Sequence, residues 1–450
     1  MDFSTKWIVG MVGLPNRGKT YMSRKLARYL SWLGHDAQVF NVTQYRAELM
    51  NKGGDNNSDD EFFDYSKFNT EAANEATADL AEYIDTSGDI AIYDGLNITV
   101  KERQQFESQI KKLVSSDYHL IWVESYCDDK QTLINNFQTT RENYEEYKNL
   151  SDEEVYNVFE DKIQNLKEQN ETLNKETDNS FIKIVNMGKS VEIVNVGSIR
   201  FINIIKFLWG LKAYSRPIYF SRHGESIYNT KELIGGDSEL SEKGKKYGEC
   251  LRKFFKEQKE DIENINKYWS TLKRTQQTIS YLSDVGRDDP LVRKELDEID
   301  AGTCDSLTYE QVSEQYPREY DMRLEDKLNY RYPRGESYID LIGRLEPFIF
   351  EVESCDKPIL LVSHQATLRC LFSYFEAHKV NTIPYISVPL HTLVKLEPGI
   401  LGFTKTTYKF DVETGNCTTV VKRVNYQSDL PKRMRFITSK SDVDSDDAIS

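Results

Sequence analysis

The chain is 450 residues long, room for two or three domains, each with its own core. Its 73 Asp and Glu outweigh 58 Lys and Arg, and the net charge of −15 argues against a nucleic-acid or anionic-membrane surface. A phosphate-rich substrate would need a local basic pocket set against that acidic background.

Residues 7–12 (WIVGMV) read as a buried strand. Gly13-Leu14-Pro15-Asn16-Arg17-Gly18-Lys19-Thr20 follows and fits G-x-x-x-x-G-K-[ST], with helical sequence from about Lys19 to Leu33. Backbone N–H groups at the helix start would hold the phosphates of ATP. Lys19 would reach the β- and γ-oxygens, and Thr20 would bind Mg²⁺. A Gly-rich turn without a ligand is the alternative. Apolar runs at 37–42, 90–93 and 119–123 alternate with helical stretches, the pattern of a parallel α/β sheet. Residues 51–61 (NKGGDNNSDDE) read as a surface loop. Asp94 ends the run IAIYD, where a carboxylate would meet the metal through water; a helix N-cap is the other reading. Residues 151–180 are highly charged, helical in pattern and poor in large apolar residues, which reads as a solvated helix.

A second α/β pattern opens at Pro217, after a boundary near 210–216. Strands are expected at 217–221, 267–270, 358–363, 391–396 and 402–410, and helices at 241–257, 273–282, 335–354 and 365–376. The tail from about Gln427 is Lys/Arg-rich, then Ser/Asp-rich, and reads as disordered. The expected divisions are 1–213, 214–426 and 427–450.

Arg222-His223-Gly224-Glu225 follows the apolar run Pro217-Ile218-Tyr219-Phe220 and precedes Asn229. A strand ending there presents an imidazole beside a guanidinium. That suits a nucleophilic histidine attacking phosphorus while the arginine holds the oxygens. Arg274 (in WSTLKRT) and His364 (in LVSHQ) fall at two further strand ends, where open α/β sheets bind ligands. Glu298, in ELDEIDAG, is the candidate proton donor for a leaving alkoxide. Cationic groups would neutralise the developing charge, so no cofactor is expected in this half. His378 and His391 read as structural.

The six cysteines, Cys127, Cys250, Cys304, Cys355, Cys370 and Cys417, form no CxxC pair, the usage of a reduced, intracellular chain. The start MDFSTKWIVG lacks a signal-peptide layout, and no apolar run approaches about 18 residues. A soluble cytoplasmic protein is expected.

Several stretches together, GLPNRGKTYMSRKLARYLSWLG, VESYCDD, IYFSRHGES, IGGDSELSEKGKKY, DKLNYRYPRGESYIDLIGRLEP and SHQATLRCLFSYF, closely resemble the bifunctional 6-phosphofructo-2-kinase/fructose-2,6-bisphosphatase family. The likeness covers about residues 6–425. It implies a P-loop kinase domain with a parallel sheet, followed by a histidine-phosphatase α/β domain of the phosphoglycerate-mutase kind. By resemblance His223 is the nucleophile and Glu298 the general acid, while Arg222, Asn229, His364 and Arg274 stabilise the phosphoryl group. Gly235 would approach the substrate through its backbone. Tyr309, Arg323, Lys327, Tyr338, Gln365 and Arg369 match the pocket for the sugar and its 6-phosphate. A bisphosphorylated sugar needs such a second cationic cluster in any case. Glu232-Leu233 departs from the family's Gly-Arg, so a loop cation is missing. The resemblance leaves room for a homodimer; the sequence itself sets no oligomeric state.

In the kinase half the nucleotide side matches the family at Gly13, Gly18, Lys19, Thr20, Asp94, Cys127 and Asn136. The sugar side is eroded. FNVTQYRA keeps Arg46 but places Ala47 at a family arginine. Leu96 stands where the family has threonine, and Glu102 where it has arginine. Alignment across gaps puts Ala76 at another sugar-binding arginine and Leu166 at a sugar-binding tyrosine. Arg141 and Lys162 exchange cation types at two more, and Arg and Lys are not equivalent at bidentate sites. Each lost charge-assisted contact costs about 1.5–3 kcal/mol. Two or three losses would weaken binding or transfer by roughly 10³-fold or more.

The expected activity is therefore fructose-2,6-bisphosphatase, with a kinase half that binds ATP and Mg²⁺ but transfers phosphate poorly. The alternatives are a fully bifunctional enzyme, a nucleotide-sensing regulatory protein, or a phosphatase with a changed substrate.

Overall fold

The computed structural model describes residues 5–52, 69–143, 150–197, 199–212, 216–257, 264–286, 291–399 and 402–425. Most of the expected surface loop (from residue 53), the centre of the expected boundary (213–215) and the 427–450 tail lie outside the described residues.

The first half runs β1 (Lys6–Val12), α1 (Lys19–Trp32), β2 (Ala37–Asn41), α2 (Val42–Lys52), α3 (Asn69–Thr86), β3 (Ile90–Asp94), α4 (Val100–Leu113), β4 (Tyr118–Tyr126), α5 (Lys130–Asn143), α6 (Asp152–Lys162), α7 (Gln164–Gln169), β5 (Phe181–Val185), β6 (Ser190–Val194) and α8 (Ile199–Gly210). Its sheet has the order β2-β3-β1-β4-β5-β6. All pairings are parallel except β5–β6. β1 is the central strand, and Ile8, Val9, Met11 and Val12 are buried. That is why its sequence is a continuous apolar run rather than an alternating one. The phosphate-loop motif leaves β1 where the chain order reverses across the sheet, the place where open α/β sheets form a crevice.

The second half runs β7 (Ile218–Arg222), α9 (Ile227–Thr230), α10 (Glu242–Glu257), β8 (Asn266–Trp269), α11 (Lys273–Ser280), β9 (Leu291–Val292), α12 (Tyr309–Gln315), α13 (Pro317–Glu325), α14 (Tyr338–Ser354), β10 (Ile359–Ser363), α15 (Gln365–Glu376), β11 (Thr392–Pro398), β12 (Gly402–Phe410) and β13 (Cys417–Asn425). The sheet order is β13-β12-β11-β7-β10-β8-β9. β7, β10, β8 and β9 are parallel; β11, β12 and β13 continue antiparallel. Neighbouring β7 and β10 end side by side, so His223 and His364 emerge at the same edge of the sheet.

One apolar core spans both halves. Tyr29 of α1 stacks on Phe207 of α8, with centroids 4.3 Å apart, and meets Phe350 of α14 at 5.7 Å. Trp32 donates from Nε1 to the Cys370 carbonyl at 2.9 Å.

Two expectations need correction. Residues 151–180 are not one solvated helix. α6 and α7 are separate, and Val155, Phe159 and Ile163 are buried against Cys127 and Leu133. Spaced four apart, they form a narrow apolar stripe inside a charged segment. Strands β5, β6, β9 and β13 are not among those the sequence predicts. β13 is exposed over most of its length, so burial imposes no alternation on its sequence. Ala76 is buried on α3 within the core.

Candidate active sites

His223 and His364 have ring centroids 5.1 Å apart, and both are buried. His223 Nδ1 lies 2.7 Å from the Gly224 carbonyl. A carbonyl only accepts, so Nδ1 carries the proton and Nε2 keeps its lone pair. Burial, then Arg274 and Arg222, push the His223 pKa well below the usual histidine value, so the ring is neutral near pH 7. Its main-chain N–H is fixed to the Ser363 carbonyl of β10 at 2.9 Å.

His364 is held from both sides. Arg274 Nε donates to Nδ1 at 3.1 Å, and Nε2 lies 2.7 Å from Ser270 Oγ. Guanidinium has no acceptor, so Nδ1 accepts and Nε2 donates to Ser270. His364 too is kept neutral, by burial and then by Arg274. It stands behind His223 and does not line the cavity described next.

The cavity, about 570 Å³, is lined by Arg222, His223, Asn229, Gly235, Arg274, Glu298, Tyr309, Arg323, Lys327, Tyr338, Gln365 and Arg369. These are every phosphatase-half candidate read from the sequence except His364. At the His223 end Arg222 is depressed to about 10, chiefly by burial, and its buried Nε makes no hydrogen bond. Arg274 anchors through Nη1 to the Gly236 carbonyl at 2.6 Å. Asn229 Oδ1 accepts from Ser226, which leaves the amide NH₂ as its donor end. Glu298 sits at the start of α15. Its oxygens accept from the backbone N–H of Gln365 and Ala366 at 3.1 Å and of Ile299 at 3.0 Å. Gly235 has φ +66°, and a Cβ there would lie 1.7 Å from Asp305 Oδ1, so no side chain fits.

A second cationic group lines the same cavity. Arg323 donates to Tyr332 Oη at 2.8 Å and Tyr309 Oη at 2.7 Å. Arg369 donates to the Ile386 carbonyl at 2.8 Å and Tyr338 Oη at 3.0 Å. Lys327 reaches the Pro384 carbonyl at 3.4 Å. Partial burial, then Arg323 and Arg369, lower the Lys327 pKa to about 8. The partners described for these three cations are hydroxyls and carbonyls, not carboxylates, so their charge is available to an anion. Glu232 also lines the cavity, at the position of the missing loop cation. Ser270, Tyr330 and Tyr332 escaped the sequence reading. Ser270 directly follows β8, and the two tyrosines stand in NYRYP beside Lys327, which were the available signals.

In the first half the phosphate loop curls between β1 and α1. Gly13 has φ +138°, and a Cβ there would lie 2.6 Å from the Ser125 carbonyl. Lys19 is buried and donates to the Leu14 carbonyl at 2.7 Å; burial lowers its pKa to about 8. Arg17 Nη1 donates to the Pro15 carbonyl at 3.2 Å, and Nη2 pairs with Glu160 of α6 at 3.0 Å. Asn136 Nδ2 donates to the Asn16 carbonyl at 3.2 Å. Asn16 Nδ2 is buried without a hydrogen-bond partner, a donor that a phosphate oxygen would satisfy. Asn41 bridges Asp94 Oδ2 and Thr20 Oγ1, the latter at 3.4 Å, so the two metal-site candidates adjoin. Asp94 caps no helix; the N-cap of α4 is Thr99. Burial raises the Asp94 pKa. Cys127 packs in the α6 cluster, and burial raises its thiol pKa. These residues fit a nucleotide with its Mg²⁺ held through the phosphates, Thr20 and Asp94. Asn41 and Glu160 were not singled out in the sequence.

A cavity of about 100 Å³ adjoins the end of β3, lined by residues that include Asn69, Ala73, Tyr93, Leu96, Asn97 and Glu102. Its described lining holds one carboxylate and no Lys or Arg. Arg46 is buried on α2 and is not part of this wall; Ala47 is half-buried. Leu166 packs on the α6 cluster, Lys162 is exposed, and the Arg141 side chain lies outside the described residues.

No helix among the described residues is long and apolar enough to cross a membrane. The 6-phosphofructo-2-kinase family matches residues 2–212, and the histidine phosphatase superfamily (branch 1) matches residues 218–409. The 6-phosphofructo-2-kinase/fructose-2,6-bisphosphatase of Caenorhabditis elegans is 39% identical over 424 residues, covering 91% of this chain and 90% of the relative. The fructose-2,6-bisphosphatase of Saccharomyces cerevisiae is 38% identical over 419 residues, with 91% and 90% covered. A rat 6-phosphofructo-2-kinase/fructose-2,6-bisphosphatase is 38% identical, with 88% of this chain and 70% of the relative covered. By this extent of identity along nearly its whole length, the chain belongs to the 6-phosphofructo-2-kinase/fructose-2,6-bisphosphatase family.

Proposed function

We propose that this chain hydrolyses fructose 2,6-bisphosphate to fructose 6-phosphate and phosphate through a phosphohistidine, in the cytoplasm, and so controls a regulator of glycolysis and gluconeogenesis. The observation that carries this reading is one cavity with two cationic groups: Arg222 and Arg274 around His223, and Arg323, Lys327 and Arg369 without carboxylate partners. A sugar carrying two phosphates complements both.

His223 Nε2 attacks the 2-phosphorus in line, and the bond from phosphorus to the sugar oxygen breaks. Glu298 passes its proton to that oxygen, and fructose 6-phosphate leaves. Water then attacks the phosphohistidine, Glu298 takes the water's proton, and phosphate is released with Nε2 restored. Arg222, Arg274 and the Asn229 amide stabilise the charge on the transferring group, and His364 positions Arg274. Tyr309, Tyr338 and Gln365 hold the sugar, with Gly235 letting the backbone approach.

The kinase half holds ATP·Mg²⁺ through the 13–20 loop, Asn136, Thr20 and Asp94. A bound nucleotide would supply the phosphoryl group. Transfer to fructose 6-phosphate is weak, because the described lining of the neighbouring cavity offers Leu96 and Glu102 and no Lys or Arg. The intact phosphate loop favours the second reading, a fully bifunctional enzyme. Assays of both directions on one preparation separate them: release of the 2-phosphate supports the first reading, and fructose 2,6-bisphosphate formed at a comparable rate supports the second. Absence of phosphate release would end both.

A further inference from the structure

A cavity of about 280 Å³ lies at the seam of the two halves, apart from the phosphatase cavity and the acceptor pocket. One wall is α1 with the edge strand β2; the facing wall is the C-terminal end of α15. It meets the nucleotide site through Asn41, whose amide touches Asp94 and Thr20, and through Arg24, which feels the Asp94 charge.

The described Lys and Arg of this cavity, Arg24, Lys25 and Arg28, give its lining charge one sign. Arg24, Lys25, Arg28 and His378 line it, and among its described lining residues there is no Asp or Glu. Behind this lining stand Glu376, 3.3 Å from His378, Asp94 within electrostatic reach of Arg24, and Glu353. Glu353 accepts from Lys25 at 2.7 Å and from Arg28 at 3.2 Å. Arg216 adds a third cation that repels Lys25. Burial, then Arg28, lowers the Lys25 pKa to about 8 in spite of Glu353. Beside Glu353 stand Lys25 and Arg28, with Arg216 in reach of Lys25, so cations outnumber that carboxylate in this corner, and burying positive charge is costly. The rest of the lining is mainly small or apolar, with Trp32 and Val39 among it. Apolar walls with a few convergent polar groups at a domain interface are the usual form of a small-molecule site.

We propose that this seam cavity binds a small organic anion, one acidic group on a compact apolar body, between Arg24, Lys25 and Arg28 on one side and His378 on the other. α1 starts at Lys19 and Thr20, and α15 starts at the backbone donors that hold Glu298, so the occupant touches the helices that carry both sites.

The test is calorimetric titration of the full chain with 1-naphthoate and with the neutral 1-naphthylmethanol, phosphate being present to fill the phosphatase cavity. The acid should bind, with one site per chain, roughly ten-fold or more tightly than the alcohol, the worth of one charge-assisted contact. Arg24→Gln should weaken the acid about five-fold or more. Ser31→Trp, which fills the cavity, should abolish binding. Phosphatase turnover should be unchanged in both variants. Equal affinity for acid and alcohol, binding that survives Arg24→Gln, or no binding up to about 10 mM overturns the proposal. Arg24→Gln keeps the test decisive should Ser31→Trp fail to fold.

Discussion

Lys25 Nζ lies 2.7 Å from Glu353 Oε1, and this buried ion pair ties the helix leaving the phosphate loop to the helix preceding the strand that leads into His364. Tyr374 adds a hydrogen bond to the same carboxylate at 2.7 Å. The two pKa values fall for opposite reasons. Glu353 is held near 2 by Lys25 and Arg28 against the cost of burial, whereas Lys25 falls through burial and the neighbouring guanidinium groups. The pair joins the halves while leaving a surplus of positive charge between them.

Glu353→Gln should therefore destabilise the chain more than Lys25→Met. The first leaves several cations facing each other; the second leaves a carboxylate still held by Arg28 and Tyr374. Breaking a buried pair costs on the order of 3–5 kcal/mol, with Lys25→Met toward or below the lower end. Glu353 has a depressed folded-state pKa, so its contribution is present above pH 4.5 and is lost as pH falls from 4.5 toward 2. Thermal unfolding of both variants between neutral and acid pH measures this. Equal destabilisation, or an acid limb unchanged in Glu353→Gln, would contradict it.

The nucleophile gives a second prediction. His223→Ala should abolish labelling from substrate carrying the label on its 2-phosphate, and turnover with it, while the fold survives. His223 attacks as the neutral base, and its pKa lies well below 6.5. Phosphoenzyme formation should then stay flat as pH falls from about 8 to 6, where an ordinary histidine would be half protonated. A drop centred near the ordinary histidine value would show that the ring is less shielded than Arg274, Arg222 and burial imply.

Ser270 should act through His364 rather than on the substrate. Ser270→Ala removes the acceptor of His364 Nε2, and with it the constraint that aims Nδ1 at Arg274. Loss of one such hydrogen bond is worth about 1 kcal/mol, or roughly five-fold in kcat. KM for the sugar bisphosphate should stay within two-fold or so, and Ser270→Thr should restore most of the rate. A rise in KM with kcat intact would move Ser270 to the substrate wall.

Much of this site was legible because its chemistry sits at strand ends. Apolar runs mark β7, β8 and β10, and the residue after each run, or a few beyond it, is the one presented to ligand. What the sequence hid is pairing over long separations. Arg17 finds Glu160, and Arg274 finds His364, by folding alone. The charged 151–180 stretch misled because composition averages away a stripe as thin as Val155, Phe159 and Ile163. α3 turns Ala76 into the core while Asn69 and Ala73 face the cavity, a rotation that composition alone does not reveal.

Acid and anchor should separate kinetically. Glu298→Gln should lower kcat about 10²–10⁴-fold with little change in KM, because a proton donor acts in the transition state. Arg323→Ala or Lys327→Ala should mainly raise KM, since the 6-phosphate is held alike in ground and transition states. Lys327 has a depressed pKa near 8, so its charge is present below that pH and lost above it. KM should therefore climb as pH rises through 8, and Lys327→Arg should flatten the climb. If Glu298→Gln raised KM alone, the proton donor would have to be sought elsewhere.

The kinase half should bind nucleotide and yet turn over slowly. Lys19→Ala should weaken ATP·Mg²⁺, since its ammonium is the charge buried inside the loop. Fructose 6-phosphate must dock beside Asp94, and there the described wall offers Glu102 in place of a cation. Glu102 also accepts from the Thr99 N–H at 3.0 Å as half of a capping box, so it is fixed in place. Substitution by Arg should cost about 1 kcal/mol of helix stability and raise phosphoryl transfer roughly ten-fold by removing a repelling charge. Wild-type turnover should stay below about 0.1 s⁻¹ at about 1 mM sugar phosphate, under the low end of ordinary enzymes. Faster turnover in the wild type would mean that cations outside this wall reach the sugar phosphate, and Glu102→Arg would then bring little gain.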